Sequence, residues 1–336
     1  MTIRIYPKNA LEWSSSFSRK VMMLPVVAAL LCSGTSFARA QQATRPESAP
    51  IPPVTAPDLI PEILPPIAST QTSSAPTASI TGFSSFDFAY LFNVFPGREY
   101  KATSYQETAG LNITLNQNVT FGVGINYNQS DSRLLYLENG RSRSEGPGAF
   151  VTTSLNVNNL FTVGGALQYV TTDNSSFRTI QGLPSAAKYD SETFAGTVYV
   201  SKYIPINEIF FINPQLRLQY SESRAKPYLE STGIFNPRST SILGRLSVGS
   251  QLGVALSAAD WSIAPNVEAF FLYDYHLPLY QADRTGFEVR PGIFASKNNI
   301  FRDNDNLSLG ASFVTILGRR DYRTFDGGRG FLAYKF

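Results

Sequence analysis

An all-β fold, a 12-stranded antiparallel transmembrane β-barrel, is predicted for residues 82–336, and three observations carry that expectation. Hydrophobicity there runs with a period of two, the signature of strands with one apolar and one polar face. Connections between the apolar runs alternate short and long, as in barrels with tight turns at one rim and larger loops at the other. Alternation also persists to the last residue, Phe336.

Two segments stand ahead of the barrel. Residues 1–40 have the pattern of an export signal: Arg19 and Lys20, then VMMLPVVAALLC, then Ala38-Arg39-Ala40 before Gln41. A charged start, a short apolar run and small residues at the cleavage site, Ala38 and Ala40, define a signal peptide. The apolar run is too short for a membrane helix, which needs about 20 residues. Cys32, the single cysteine, lies inside it, and Ala29-Leu30-Leu31 lacks the small residue of a lipoprotein signal. The mature chain is therefore expected to carry no thiol. Residues 41–81 follow as a Pro-rich linker, with nine prolines between 41 and 80. Such composition cannot pack a core; it is expected to be disordered, an extended and semi-rigid tether.

Removing residues 1–40 takes five of the 28 Lys and Arg and one of the 25 Asp and Glu, leaving 23 bases against 24 acids. The basic character thus belongs to the leader. Nucleic-acid binding, which needs a concentrated basic face, is not expected.

Twelve alternating segments follow, near 82–95, 102–116, 119–130, 147–157, 160–173, 191–203, 209–222, 239–256, 261–275, 285–298, 305–318 and 327–336. In the third, Val119, Phe121, Val123, Ile125 and Tyr127 share one face, while Gly122, Gly124 and Asn126 share the other. Short connections follow even-numbered segments; DSRLLYLENGRSRSEG, NSSFRTIQGLPSAAKYD and SRAKPYLESTGIFNPR are long and read as outer loops. Phe121 and Tyr127, Phe161 and Tyr169, and Trp261 and Tyr273 sit at opposite ends of apolar faces, where aromatic girdles bound the lipid band. The opposite faces hold Arg217, Arg245, Glu268, Asp274, Glu288, Arg290 and Arg329, which fit a wetted, charge-lined lumen. Those charges either form rings that set ion selectivity or pair across the lumen and hold it shut.

The ending GGRGFLAYKF is the closing strand, and on it the chain resembles bacterial outer-membrane β-barrels. That resemblance implies that Leu332, Tyr334 and Phe336 form the insertion signal read by the barrel assembly machinery. It also implies integral outer-membrane localisation in a Gram-negative envelope, contact with outer-membrane lipids and lipopolysaccharide, and a periplasmic Pro-rich segment. Twelve strands, short turns, ETAGLNITLNQNVTFGVGINYNQSDS and SETFAGTVYVSKY together resemble the translocator domain of autotransporters. In that class a large passenger precedes the barrel and a helix threads the lumen. Here the segment between leader and first strand leaves no room for a folded passenger. IASTQTSSAPTASIT, β-branched and containing Pro76, is a poor helix.

The expected role is an autotransporter-like translocator barrel or small porin-like channel. A surface-exposed adhesive or structural barrel acting through its long loops is the alternative. A rim hydrolase is a further one: His276, the only histidine, stands two residues from Asp274, the arrangement of a base and its orienting acid. It resembles the Asp-x-His of omptin proteases, but the second acidic pair, Asp303 and Asp305, falls in an expected periplasmic turn. Outer-membrane phospholipase is also twelve-stranded, but its histidine is followed by Ser, whereas Leu277-Pro278 follows His276. No catalytic residues, metal site or cofactor are expected, since no phosphate loop, nucleotide fingerprint or cysteine–histidine cluster occurs.

Overall fold

A computed structural model describes residues 79–335, apart from 116–117, 158–159, 259, 279–280 and 302–304. The leader, most of the linker, Asp303 and Phe336 lie outside the described residues. Twelve long strands make the fold: β1 (Ser79–Asn93), β2 (Tyr100–Thr114), β3 (Val119–Leu134), β4 (Gly140–Val157), β5 (Phe161–Ile180) and β6 (Leu183–Ser201). They continue as β7 (Phe210–Ala225), β8 (Ser239–Val254), β9 (Trp261–His276), β10 (Thr285–Asn298), β11 (Asn306–Leu317) and β12 (Tyr322–Lys335). Four pieces of two or three residues decorate the connections.

Each long strand pairs antiparallel with its sequence neighbours, and β12 pairs with β1 from Thr81↔Lys335 to Asn93↔Tyr322. The sheet is closed, so no row of unpaired backbone groups faces hydrocarbon. Following paired residues around the cylinder from Phe211 leads through Gly253, Asn266, Gly292, Ser312, Arg329, Asp87, Gln106 and Asn128, and then Gly146. The 145↔173 and 148↔170 pairs carry the row to Thr172, and it returns to β7 at Ala225, 14 residues beyond Phe211. With strands about 4.8 Å apart and a rise of about 3.3 Å per residue, that shift tilts the strands by about 40°.

Tilt decides how tall the apolar exterior is. On β7 the outward residues are Phe210, Ile212, Pro214, Leu216, Leu218 and Tyr220, followed by Glu222 and Arg224. Ten residue steps from Phe210 to Tyr220 cover about 33 Å of strand and about 25 Å of height, the thickness of the apolar band of such barrels. Glu222 and Arg224, joined at 2.6 Å, begin the wet region.

Two of the expected long loops are strands. Residues 131–134 with 140–146, and 174–180 with 183–190, continue the β3–β4 and β5–β6 ladders, the second closing in a tight turn at Gln181-Gly182 with φ of 52° and 80°. Both residues take positive φ, as a hairpin turn matched to strand twist requires. The reason is environmental: above the lipid band the outward residues become Asp131, Arg133, Arg141, Arg143, Asp173 and Lys188. Apolar alternation ends there while backbone pairing continues. The connection after β7 remains a loop, with Tyr228–Leu229 paired to Phe235–Asn236 inside it.

Candidate functional site: the barrel interior

Alternation sends every second side chain inward, and the inner face is not uniformly wet. The expected lumen charges are all buried or half-buried, and they pair along one wall. Arg217 on β7 reaches over β8 to Glu268 on β9 at 3.4 Å, with its guanidinium 3.9 Å above the Phe270 ring. Arg290 lies 3.8 Å from Glu268 and 2.8 Å from Glu288. Above them Asp274 accepts from Arg245 at 2.7 and 3.2 Å and from Arg319 at 2.5 Å. Arg329 bonds Asp87 across the β12–β1 pair. The first network sets two bases, Arg217 and Arg290, against two acids, Glu268 and Glu288.

At the outer end of the interior one arc of the wall is apolar, while Ser142, Asn174, Ser191 and Ser221 of β4 to β7 are buried polar groups at that end. Ala89 and Leu91 of β1, Tyr100 and Ala102 of β2, and Leu134 of β3 form one buried cluster with Phe270 and Leu272 of β9, Ile316 of β11, and Tyr322 and Phe325 of β12. β3 and β9 stand on opposite sides of a twelve-strand cylinder. Tyr136 and Leu137, from the turn after β3, pack onto the cluster. Elsewhere large rings lie on glycines of neighbouring strands. A Cβ on Gly124 would meet Phe150 at 2.3 Å, and one on Gly164 would meet Tyr199 at 2.2 Å. Small residues there let rings lie flat against the wall.

Below the cluster on β2 and β3, and on the walls of β6 and β7, lie buried polar groups. Gln106 Oε1, Asn128 Nδ2, Thr197 Oγ1, Asn213 Oδ1 and both amide atoms of Asn126 are buried with no hydrogen-bond partner among the described residues. Buried amides without partners are costly.

At the outer rim, the loop after β7 is clamped to the β5–β6 hairpin. Arg178, Ser185 and Asn236 all donate to the Glu230 carboxylate, at 2.6–3.1 Å, and Arg178 and Glu230 are both almost fully buried. Burial pushes the Glu230 carboxyl up, but the bonds from Arg178, Ser185 and Asn236 and the Arg178 charge outweigh it and hold the group below its ordinary range. Tyr228 stacks on Tyr189 with centroids 4.2 Å apart. This clamp was not legible in the sequence, because most of its members fall in segments that read as loops.

The Asp274/His276 pair is not formed. Both Asp274 oxygens are engaged by arginines, whereas His276 is exposed, with its ring edge-on to Tyr275. Asp305 is buried and accepts from the backbone N–H groups of Ile300 and Phe301, so it builds a turn. No group of three His, Asp or Glu that could hold a metal occurs among the described residues.

Phe121, Tyr127, Phe161, Tyr169 and Tyr273 are exposed on the outer face and Trp261 is half-buried. On β12, Leu332 is exposed, while the Tyr334 hydroxyl donates to Asp305 at 2.7 Å and its ring meets Phe301 edge-on.

A closed, tilted twelve-strand cylinder with an apolar belt and a charge-paired interior defines an outer-membrane β-barrel. The autotransporter beta-domain family model matches residues 95–323, and the chain belongs to that family. Solved structures agree in fold. The translocator domain of autotransporter NalP from Neisseria meningitidis aligns with TM-score 0.60 at 15% identity, over 79% of this chain and 89% of that one. The beta domain of the Bordetella autotransporter Brka gives 0.56 at 14%, over 77% and 99%. The transport unit of the autotransporter AIDA-I from Escherichia coli gives 0.53 at 13%, over 82% and 93%. No curated protein matches the chain.

Proposed function

We propose that this is a non-enzymatic translocator barrel whose interior is shut in the resting state, rather than a standing diffusion channel. The apolar cluster running from β3 round to β9 carries this reading. Ions cross an apolar constriction only where it is wetted, and these side chains are packed against one another. The partnerless amides below the cluster favour an extended segment of polypeptide as the lumen's occupant, and the Pro-rich residues 41–81, periplasmic in this reading, are the segment at hand. Exposed Leu332 and the anchored Tyr334, with Phe336, support a role for the last strand as the insertion signal read by the assembly machinery. An adhesive role has one observation in its favour, the β3–β4 and β5–β6 hairpins rising above the lipid band with charged outer faces.

Single-channel recording in planar bilayers tests the proposal. The full-length barrel is expected to conduct negligibly, and Leu91→Ser/Leu272→Ser/Phe325→Ser to open a steady pore. Deleting residues 41–78 is expected to add conductance only in that variant. A large steady conductance of the unaltered protein refutes a shut interior.

A further inference from the structure

On the outer surface, one row of directly paired residues runs across five consecutive strands: Phe92, Lys101, Arg133, Arg141 and Phe177. Three cations therefore stand side by side on β2, β3 and β4, with Cβ atoms about 5 Å apart, the placement that makes like charges repel. Arg133 and Arg141 are exposed and have no hydrogen bond or ion pair among the described residues. Lys101 lies only over the Phe92 ring, at 4.8 Å, and Arg323, bulged out of β12, lies over the same ring at 5.4 Å. The nearest acids hold other partners: Glu99, two residues before Lys101, accepts from the Gly97 N–H at 3.3 Å, and Asp131 and Glu145 lie one and two rows below the arc. Asp131 accepts from Gln129 at 3.2 Å, and Glu145 is held by Arg143 at 2.7 Å.

Height identifies the ligand. Lys101 is four residues beyond Tyr105, and Arg133 six beyond Tyr127, the last outward aromatics of β2 and β3. At the strand tilt found here, that is about 10 and 15 Å above the apolar band, higher than the headgroup layer of a phospholipid, about 5–7 Å thick. We propose that this arc binds the phosphates of a large phosphorylated glycolipid in the surrounding outer leaflet, lipopolysaccharide. The two guanidiniums grip phosphate oxygens, Lys101 adds charge, and Phe92 and Phe177 bracket the site. A ligand with phosphates raised on a sugar stalk meets the arc from the side while its acyl chains lie against the apolar belt. The inference rests on the outer-membrane orientation, which envelope fractionation tests separately.

Rough lipopolysaccharide, the same lipid stripped of its phosphates, and inorganic phosphate are each titrated into the detergent-folded full-length barrel, with thermal unfolding as the readout. Phosphorylated lipid is expected to raise Tm saturably, and Arg133→Ala/Arg141→Ala to weaken that binding at least tenfold. Stripped lipid and inorganic phosphate at equal concentration are expected to leave Tm unchanged. Lipid-free, the double variant is expected to melt at or above the unaltered protein, because repulsion is relieved; that separates lost binding from lost folding. Equal shifts with and without lipid phosphates, or equal binding by variant and parent, overturn the proposal. So does inorganic phosphate reproducing the full shift.

Discussion

Asp274→Ala measures whether the barrel interior is dry. Asp274 has no exposed side-chain surface and accepts from two arginines, Arg245 at 2.7 Å and Arg319 at 2.5 Å, themselves 4% and 0% exposed. Removing the carboxylate takes from two buried guanidiniums the acceptor they share. Breaking a buried pair by deleting one partner costs about 3–5 kcal/mol when the remaining charge cannot be hydrated. In a water-filled lumen the arginines would simply hydrate, and the loss would be that of an exposed pair, about 0–1 kcal/mol. Arg143→Ala is the internal reference, because its bond to Glu145 lies on the outer surface with the two side chains 53% and 40% exposed. Urea unfolding of the folded barrel in detergent, read by tryptophan fluorescence and by the folded band in gels, gives both values. Expected is a loss of about 3–5 kcal/mol for Asp274→Ala and no measurable loss for Arg143→Ala. Equal losses refute the dry interior and with it the argument for a shut barrel.

Glu230 gives a pH dependence whose sign is fixed. Its carboxyl titrates below the ordinary 4.5 when folded, so the clamp's contribution is complete above that value and disappears as pH falls through the lower, folded one. Hydrogen exchange over residues 226–238 is expected to be slow at neutral pH and to accelerate below about pH 4.5; Glu230→Gln is expected to lift that protection at neutral pH and flatten the profile. Gly124→Val places a branched side chain where a Cβ already meets the Phe150 ring at 2.3 Å; a loss of about 1–3 kcal/mol is expected by overpacking, recovered in part by Phe150→Ala. His276→Ala is expected to leave both stability and any hydrolytic rate at background, since Asp274 is bound to arginines; an activity lost in that variant sinks the non-enzymatic reading.

Strand number, strand order and the inside–outside pattern were legible because lipid and lumen impose opposite demands on successive residues. Phe121, Val123, Ile125 and Tyr127 against Gly122 and Asn126 is that demand written out. Legibility failed where the demand changed. Above the lipid band both faces of β3 to β6 are polar, so Asp131–Arg133 and Ser142–Arg143 looked like loop while forming ladder. Where the apolar cluster lines the interior, both faces are apolar: FAYLF in β1 and FFLY in β9 put Ala89, Leu91, Phe270 and Leu272 inward beside lipid-facing rings. Those unbroken apolar runs were the available signal for the cluster. Partners of the inner charges were not readable, because Arg217 meets Glu268 only through a register spanning three strands.

The apolar cluster also accounts for how the cylinder closes. Its members come from the first three strands and from β9, β11 and β12, and the middle of that arc is the β12–β1 pair, the one contact between strands far apart in sequence. Pairing the ends of a long chain carries the largest loop-closure cost in the fold, and backbone bonds alone are offered equally by any other edge. Behind this pair, however, Leu91 packs in one cluster with Phe325 and Ile316, and Arg329 bonds Asp87. No other pairing of β1 assembles those side chains. Since the full cluster cannot exist before β12 meets β1, this packing forms only as the barrel closes. Any polypeptide that passes through it must therefore pass before that packing forms, or must break it.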